Sequence, residues 1–132
     1  MFRTLAVTLI VTLLSVSASY AREWERLGER HVGFINDHDK IDVGRHEGKF
    51  KRLKLIVRGN DIELNSLKVI FGNGQVEDFV FNHKVRAGGE SPTIDLRTPW
   101  ANGRFIRAVE LHYHSRPNFR GEAVAELWAQ ED

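Results

Sequence analysis

The chain has 132 residues, 42% hydrophobic and 28% charged, with 19 lysines and arginines against 18 aspartates and glutamates. So even a balance argues against a general polyanion binder, whose affinity rests on excess positive charge, and nucleic acid is not an expected partner. Cysteine is absent, which excludes disulfides and a thiol nucleophile and leaves the fold to stand on apolar burial.

The first 21 residues read as an export signal. Met1-Phe2-Arg3-Thr4 carries one positive charge, Leu5 to Val16 is apolar apart from Thr8, Thr12 and Ser15, and Ser19-Tyr20-Ala21 supplies small residues around a cleavage point. This three-part pattern predicts a cleavable signal peptide over 1–21, with cleavage after Ala21. The apolar run is too short to span a hydrocarbon core, so no membrane span is expected after cleavage. Cleavage removes Arg3 as the only charged side chain and leaves 18 basic and 18 acidic residues in the mature chain. The expected location is the periplasm or the secreted fraction. A cysteine-free exported domain of this size points to a bacterial source.

Residues 22–132 suit one domain with a single core. Trp24 to Phe34 is apolar at irregular intervals and interrupted by two glycines, which predicts a first strand with a bulge or kink. Asn36 to Gly48 is polar and glycine-rich and reads as a loop, with a short strand at Ile41–Val43. Phe50 to Arg58 is a clearer strand, with Leu53, Leu55 and Val57 on one face and Arg52, Lys54 and Arg58 on the other.

After the turn at Gly59-Asn60-Asp61, the next run changes phase. Ile62 and Leu64 are even, whereas Leu67, Val69 and Phe71 are odd. An extra residue at Asn65-Ser66 is required to keep one face apolar, so a bulge or break is predicted there. Gly72-Asn73-Gly74 is a hairpin signal. Its partner strand is Gln75 to Asn82, with Phe79 and Phe81 sharing a face. Thr93 to Leu96 is a short strand, flanked by loops at 87–92 and 98–103.

The longest alternating run is Arg104 to Ser115. Phe105, Val109, Leu111 and Tyr113 are expected on the buried face, and Glu110, His112 and His114 opposite. Glu122 to Gln130 is apolar on both faces and reads as a central strand. Trp24 and Trp128 are expected in the core. No window has sustained helical periodicity. The whole reads as an all-β, antiparallel, jelly-roll-like β-sandwich of seven to eight strands.

Three constellations carry candidate chemistry. Glu110, His112 and His114 share one strand face, and two imidazoles at i and i+2 suit one zinc or similar divalent ion, with His38, His46 or His83 as further ligands. The bland alternative is the solvent face of an amphipathic strand. Asp37, Asp39 and Asp42 offer alternating carboxylates for calcium, without the EF-hand pattern, against the bland alternative of a solvated turn. Arg45, Lys49, Lys51, Arg52, Lys54 and Arg58 form a basic stretch able to meet an anionic envelope polymer or lipid head group. Equally, they would pair with Glu77 or Asp78 on neighbouring strands. Trp100, in a loop, is able to stack on a sugar or peptide if exposed, against the bland alternative of a buried side chain that plugs the loop. No Gly-x-Ser-x-Gly elbow and no phosphate-cradling loop is present.

A set of short motifs spans the mature chain: Trp24…Leu27-Gly28, Asp37-x-Asp39-x-Ile41, Gly48-x-Phe50, Phe71-x-Asn73-Gly74, Ile94-Asp95-Leu96 and Arg104-x-Ile106-x-x-Val109-x-Leu111-x-Tyr113. Together they resemble small exported bacterial proteins grouped as a domain of unknown function. That resemblance implies a β-sandwich and an exported location, without an activity.

Two functional expectations follow. The first is a non-catalytic module that binds a ligand or envelope partner through Asp37, Asp39, Asp42, Trp100 and Arg104. The second is a metal-binding protein or metal-dependent enzyme that uses Glu110, His112 and His114.

Overall fold

The computed structural model describes residues 23–33, 38–44, 48–96, 103–114 and 121–131. The expected signal peptide, Asp37 and Trp100 lie outside these residues. The described residues form eight strands: β1 (Glu25–Val32), β2 (His38–Asp42), β3 (Arg52–Arg58), β4 (Ile62–Phe71), β5 (Val76–Val85), β6 (Ile94–Asp95), β7 (Ile106–His114) and β8 (Ala123–Gln130). They form two four-stranded sheets, ordered β1-β8-β3-β6 and β2-β7-β4-β5, and every pairing is antiparallel.

The pairings β1·β8, β2·β7, β3·β6 and β4·β5 are those of one long hairpin whose two arms run side by side. Wrapping that hairpin on itself adds β3·β8 and β4·β7, which is the jelly-roll route to two packed sheets. Both sheets turn an apolar face inward. Leu53, Leu55, Val57 and Leu127 meet Leu64, Leu67, Val69, Leu111 and Tyr113, all of them fully buried. Burial of each such side chain contributes about 1.5–3 kcal/mol.

Bulges keep those faces constant. Against β7 the β4 register slips between the Leu64–Tyr113 and Ser66–His112 pairs, so Asn65 is the extra residue that absorbs the phase change, while against β5 the extra residue lies on β5, at Phe81-Asn82. The β1 register slips between Arg26 and Gly28, which is the kink expected in the first strand. At the β4–β5 turn Gly74 N–H bonds Phe71 C=O. There Gly74 has φ 89°, while Asn73 keeps a negative φ. The turn is therefore a three-residue loop closed by a glycine bulge, longer than a two-residue hairpin.

Three local expectations are corrected. Phe105 is exposed and Ile106 enters the core instead, because β7 slips one residue against β4 between the Ile70–Ala108 and Phe71–Ile106 pairs. Lys54 is buried on the outer face of its sheet, its ammonium 4.1 Å from the Trp24 ring centroid and 3.2 Å from Glu90 Oε1. Neither Trp24 nor Trp128 is a core residue: each is half-buried, and Trp128 pairs across the strands with Lys54 and Arg26 on the outer surface.

β8 is central, as its two apolar faces suggested, and its one acidic residue is held by basic neighbours. Glu126 is buried and accepts hydrogen bonds from Arg26 and Arg58, both of which also reach Glu29. The basic stretch is thus met by Glu29, Glu90 and Glu126 of its own side of the sandwich, while Glu77 and Asp78 belong to the other sheet.

Candidate functional site

The register of the β2-β7-β4-β5 sheet sorts its outward side chains into rows. Lys40, Glu110, Lys68 and Asp78 face one another in sequence across the four strands. Charges alternate along this row, a favourable cross-strand arrangement. The neighbouring row holds His38, His112, Ser66 and Val80.

His38 and His112 stack, with ring centroids 5.6 Å apart and planes 14° from parallel. His112 Nε2 lies 4.0 Å from Glu110 Oε2. The bulge residue Asn65 brings Nδ2 within 2.6 Å of His114 Nδ1. These residues line an open depression of about 340 Å³ bounded by His38, Asn65, Glu110, His112, Tyr113 and His114. The structure therefore gathers Glu110, His112 and His114 on one face and adds His38 by pairing it with His112. Stacked imidazoles direct their in-plane nitrogens side by side rather than toward one point. Among the described residues, no three His, Asp or Glu side chains are gathered as a metal-holding group.

The aspartates separate. Residues 38–42 are a strand rather than a loop, so Asp39 and Asp42 point to opposite faces. Asp39 is buried and turned inward, where it accepts from Tyr113 Oη at 2.6 Å and from Arg30 Nε at 3.4 Å. Asp42 is exposed and lies 3.4 Å from Lys40 Nζ. These two carboxylates are not placed to share one calcium ion.

Arg104 sits at a second recess. Its backbone forms an isolated bridge with Phe50. Its guanidinium lies 3.6 Å from the Phe71 ring centroid and donates to Asn73 Oδ1 and Gln75 Oε1. Lys49, Gly72, Asn73, Gly103, Arg104 and Phe105 bound an open notch of about 220 Å³. Lys49 Nζ stands 5.7 Å from the Phe105 ring centroid. Sequence reasoning assigned Arg104 to a binding site but missed Lys49 as its neighbour and buried Phe105 wrongly. The phase slip from Ile106 to Val109 was the signal available for Phe105.

Among the described residues no helix is long and apolar enough to cross a membrane. No curated protein and no solved structure matches the chain. A family model does match, over residues 5–129, and through it the chain belongs to DUF2541, a domain of unknown function.

Proposed function

We propose that the protein is an exported, non-catalytic β-sandwich that binds an anionic ligand or envelope partner at the notch beside Arg104. The observation that carries this reading is the chemistry of the notch. Phe105, 54% exposed, offers an aromatic face, Lys49 stands over that ring, and Arg104 is held at its rim by Phe71, Asn73 and Gln75. An aromatic ring flanked by cations suits a ligand with an apolar or sugar face and a carboxylate or phosphate.

The test is an NMR titration of the mature protein with an acidic oligosaccharide, beside a Lys49→Ala, Phe105→Ala variant. Amide shifts confined to 72–73 and 103–105, and absent in the variant, are expected. Shifts that persist unchanged in the variant would remove the notch from consideration. Export is checked separately by sequencing the N-terminus of the protein recovered after bacterial expression. Arg22 is the expected first residue, and a cytoplasmic protein that begins at Met1 would count against export.

A second reading places a divalent metal, zinc before calcium given the nitrogen-rich donors, on the histidine face. It rests on Glu110, His112 and His114 sharing one outer strand face with His38 opposite His112, and it requires the stacked His38 and His112 rings to turn toward a common point. Elemental analysis of chelator-free, untagged protein against a His112→Ala, His114→Ala variant decides it. About one equivalent of zinc, copper or nickel that disappears in the variant supports the reading, and metal-free protein in both ends it.

A further inference from the structure

We infer that the outer edge of β5, at Val76–Val80, docks an extended basic segment of a partner protein as an added strand. This extends the binding-module reading to a surface separate from the notch. Among the described residues β5 ends its sheet and has β4 as its one paired neighbour. Phe71 N–H bonds Gln75 C=O at the turn. In an antiparallel pair, hydrogen-bonded and non-hydrogen-bonded positions alternate. The backbone groups of Val76, Asp78 and Val80 therefore point away from β4, where a fifth strand would meet them.

The side chains of the same three residues stand on the outer face, opposite Ile70, Lys68 and Ser66. Val76 is 53% and Val80 72% exposed. Among the described residues the one other large exposed hydrophobic is Phe105, which belongs to the notch and not to this edge. Soluble edge strands are ordinarily blunted by charge or irregularity. Here the irregularity comes late: Asn82, with φ 46°, accompanies the register slip opposite Asn65. That bulge leaves 76–80 as a regular five-residue edge.

Charge decides the occupant. Glu77 and Asp78 lie within this segment, and among the described residues neither has a side-chain ion pair. A second copy that added itself antiparallel about this segment would set Val76 against Val80 and Asp78 against Asp78. Like charges directly opposite are unfavourable, so the edge selects against its own copy. A strand with apolar, basic and apolar residues at alternate positions places each against its complement. Main-chain bonds then give the affinity and the side chains the specificity.

The test uses the mature protein and a synthetic peptide with a Val-Thr-Lys-Thr-Val core, compared with its Val-Thr-Glu-Thr-Val counterpart. Expected are chemical-shift changes and slowed amide exchange at Val76, Asp78 and Val80, with binding at least about tenfold weaker for the glutamate peptide. Asp78→Lys should reverse that preference. Val80→Pro removes an N–H that β4 does not use, so it should abolish binding while leaving the thermal midpoint within a few degrees of the parent.

Absence of binding by either peptide, or binding that survives Val80→Pro, would overturn the proposal. So would concentration-dependent self-association that Val80→Pro abolishes, since that would make a second copy the occupant. Shifts restricted to Lys49, Arg104 and Phe105 would also overturn it while leaving the notch reading intact. Conversely, Phe105→Ala should not weaken the lysine peptide.

Discussion

Tyr113 Oη donates to Asp39 Oδ2 at 2.6 Å inside the sandwich, joining β7 to the edge strand β2. Asp39 is buried beside Ile41 on the inward face, and a buried carboxylate is tolerable only when hydrogen bonds replace its hydration. Tyr113 and Arg30 supply those bonds. Asp39 is thus occupied by the fold, which removes it from the calcium-like set that its spacing from Asp37 and Asp42 had suggested.

Tyr113→Phe should lower stability by about 2 kcal/mol, the cost of losing a hydrogen bond to a charged, buried group. Asp39→Ala should cost at least as much, because it removes the carboxylate that Tyr113 Oη and Arg30 Nε share. Urea unfolding reads both as a lowered midpoint with an unchanged slope. If the double variant costs no more than either single change, the two residues act as one unit. A midpoint unaltered by Tyr113→Phe would show that the bond contributes nothing net.

Asn65 offers a sharper test of the strand reading. Ile62 and Leu64 precede it in one phase and Leu67, Val69 and Phe71 follow in the other, all five buried. Deletion of Asn65 would turn one of those two groups toward solvent, so the variant should give no dispersed amide spectrum. Asn65→Ala keeps the extra residue and loses only the exposed link to His114, at a cost below about 1 kcal/mol. Folding of the deletion variant with native spectra would refute the role assigned to the bulge.

The same residue shows what was legible in the sequence. Phase changes within one strand are visible as letters, so the β4 bulge and the alternation of β3 could be read directly. Partner choice could not. Lys54 looks like a solvent residue by alternation, yet Trp24 and Glu90 arrive from distant segments to cover it. Phe105 looks like core by alternation, yet a one-residue slip against β4 exposes it. His112 and His114 were legible as a face, whereas the stacking of His38 on His112 depends on cross-strand register. The notch was half legible: Arg104 was named, and Lys49 joins it only because Phe50 and Arg104 bridge.

Glu126 and Glu29 share the same two arginines but differ in burial, with side chains 9% and 42% exposed. Glu126→Ala removes charge-assisted bonds from a buried carboxylate, while Arg26 and Arg58, both about half exposed, keep Glu29 and solvent, so the variant should cost about 1.5 kcal/mol. Glu29→Ala should cost less than about 1 kcal/mol, as solvent already screens that pair. Raising the salt concentration should shrink the Glu29 effect further and leave most of the Glu126 effect in place. Equal costs for the two variants would mean that the ring of charges contributes through exposure-independent packing.

Gly103 and Gly74 both adopt the left-handed backbone region, at φ 75° and 89°, but their surroundings differ. A Cβ on Gly74 would meet nothing within 4 Å. Gly74→Ala therefore carries backbone strain alone, about 1–2 kcal/mol. A Cβ on Gly103 would sit 2.5 Å from the Phe50 carbonyl oxygen, and that oxygen accepts the Arg104 N–H. Gly103→Ala must therefore displace the bridge that positions Arg104, and about 3 kcal/mol or more is expected. Thermal unfolding of the two variants measures the difference. The consequence extends to the notch, since Gly103, Arg104 and Phe105 line it together. Where Gly103→Ala still folds, its affinity for an acidic oligosaccharide should fall, and that of Gly74→Ala should not.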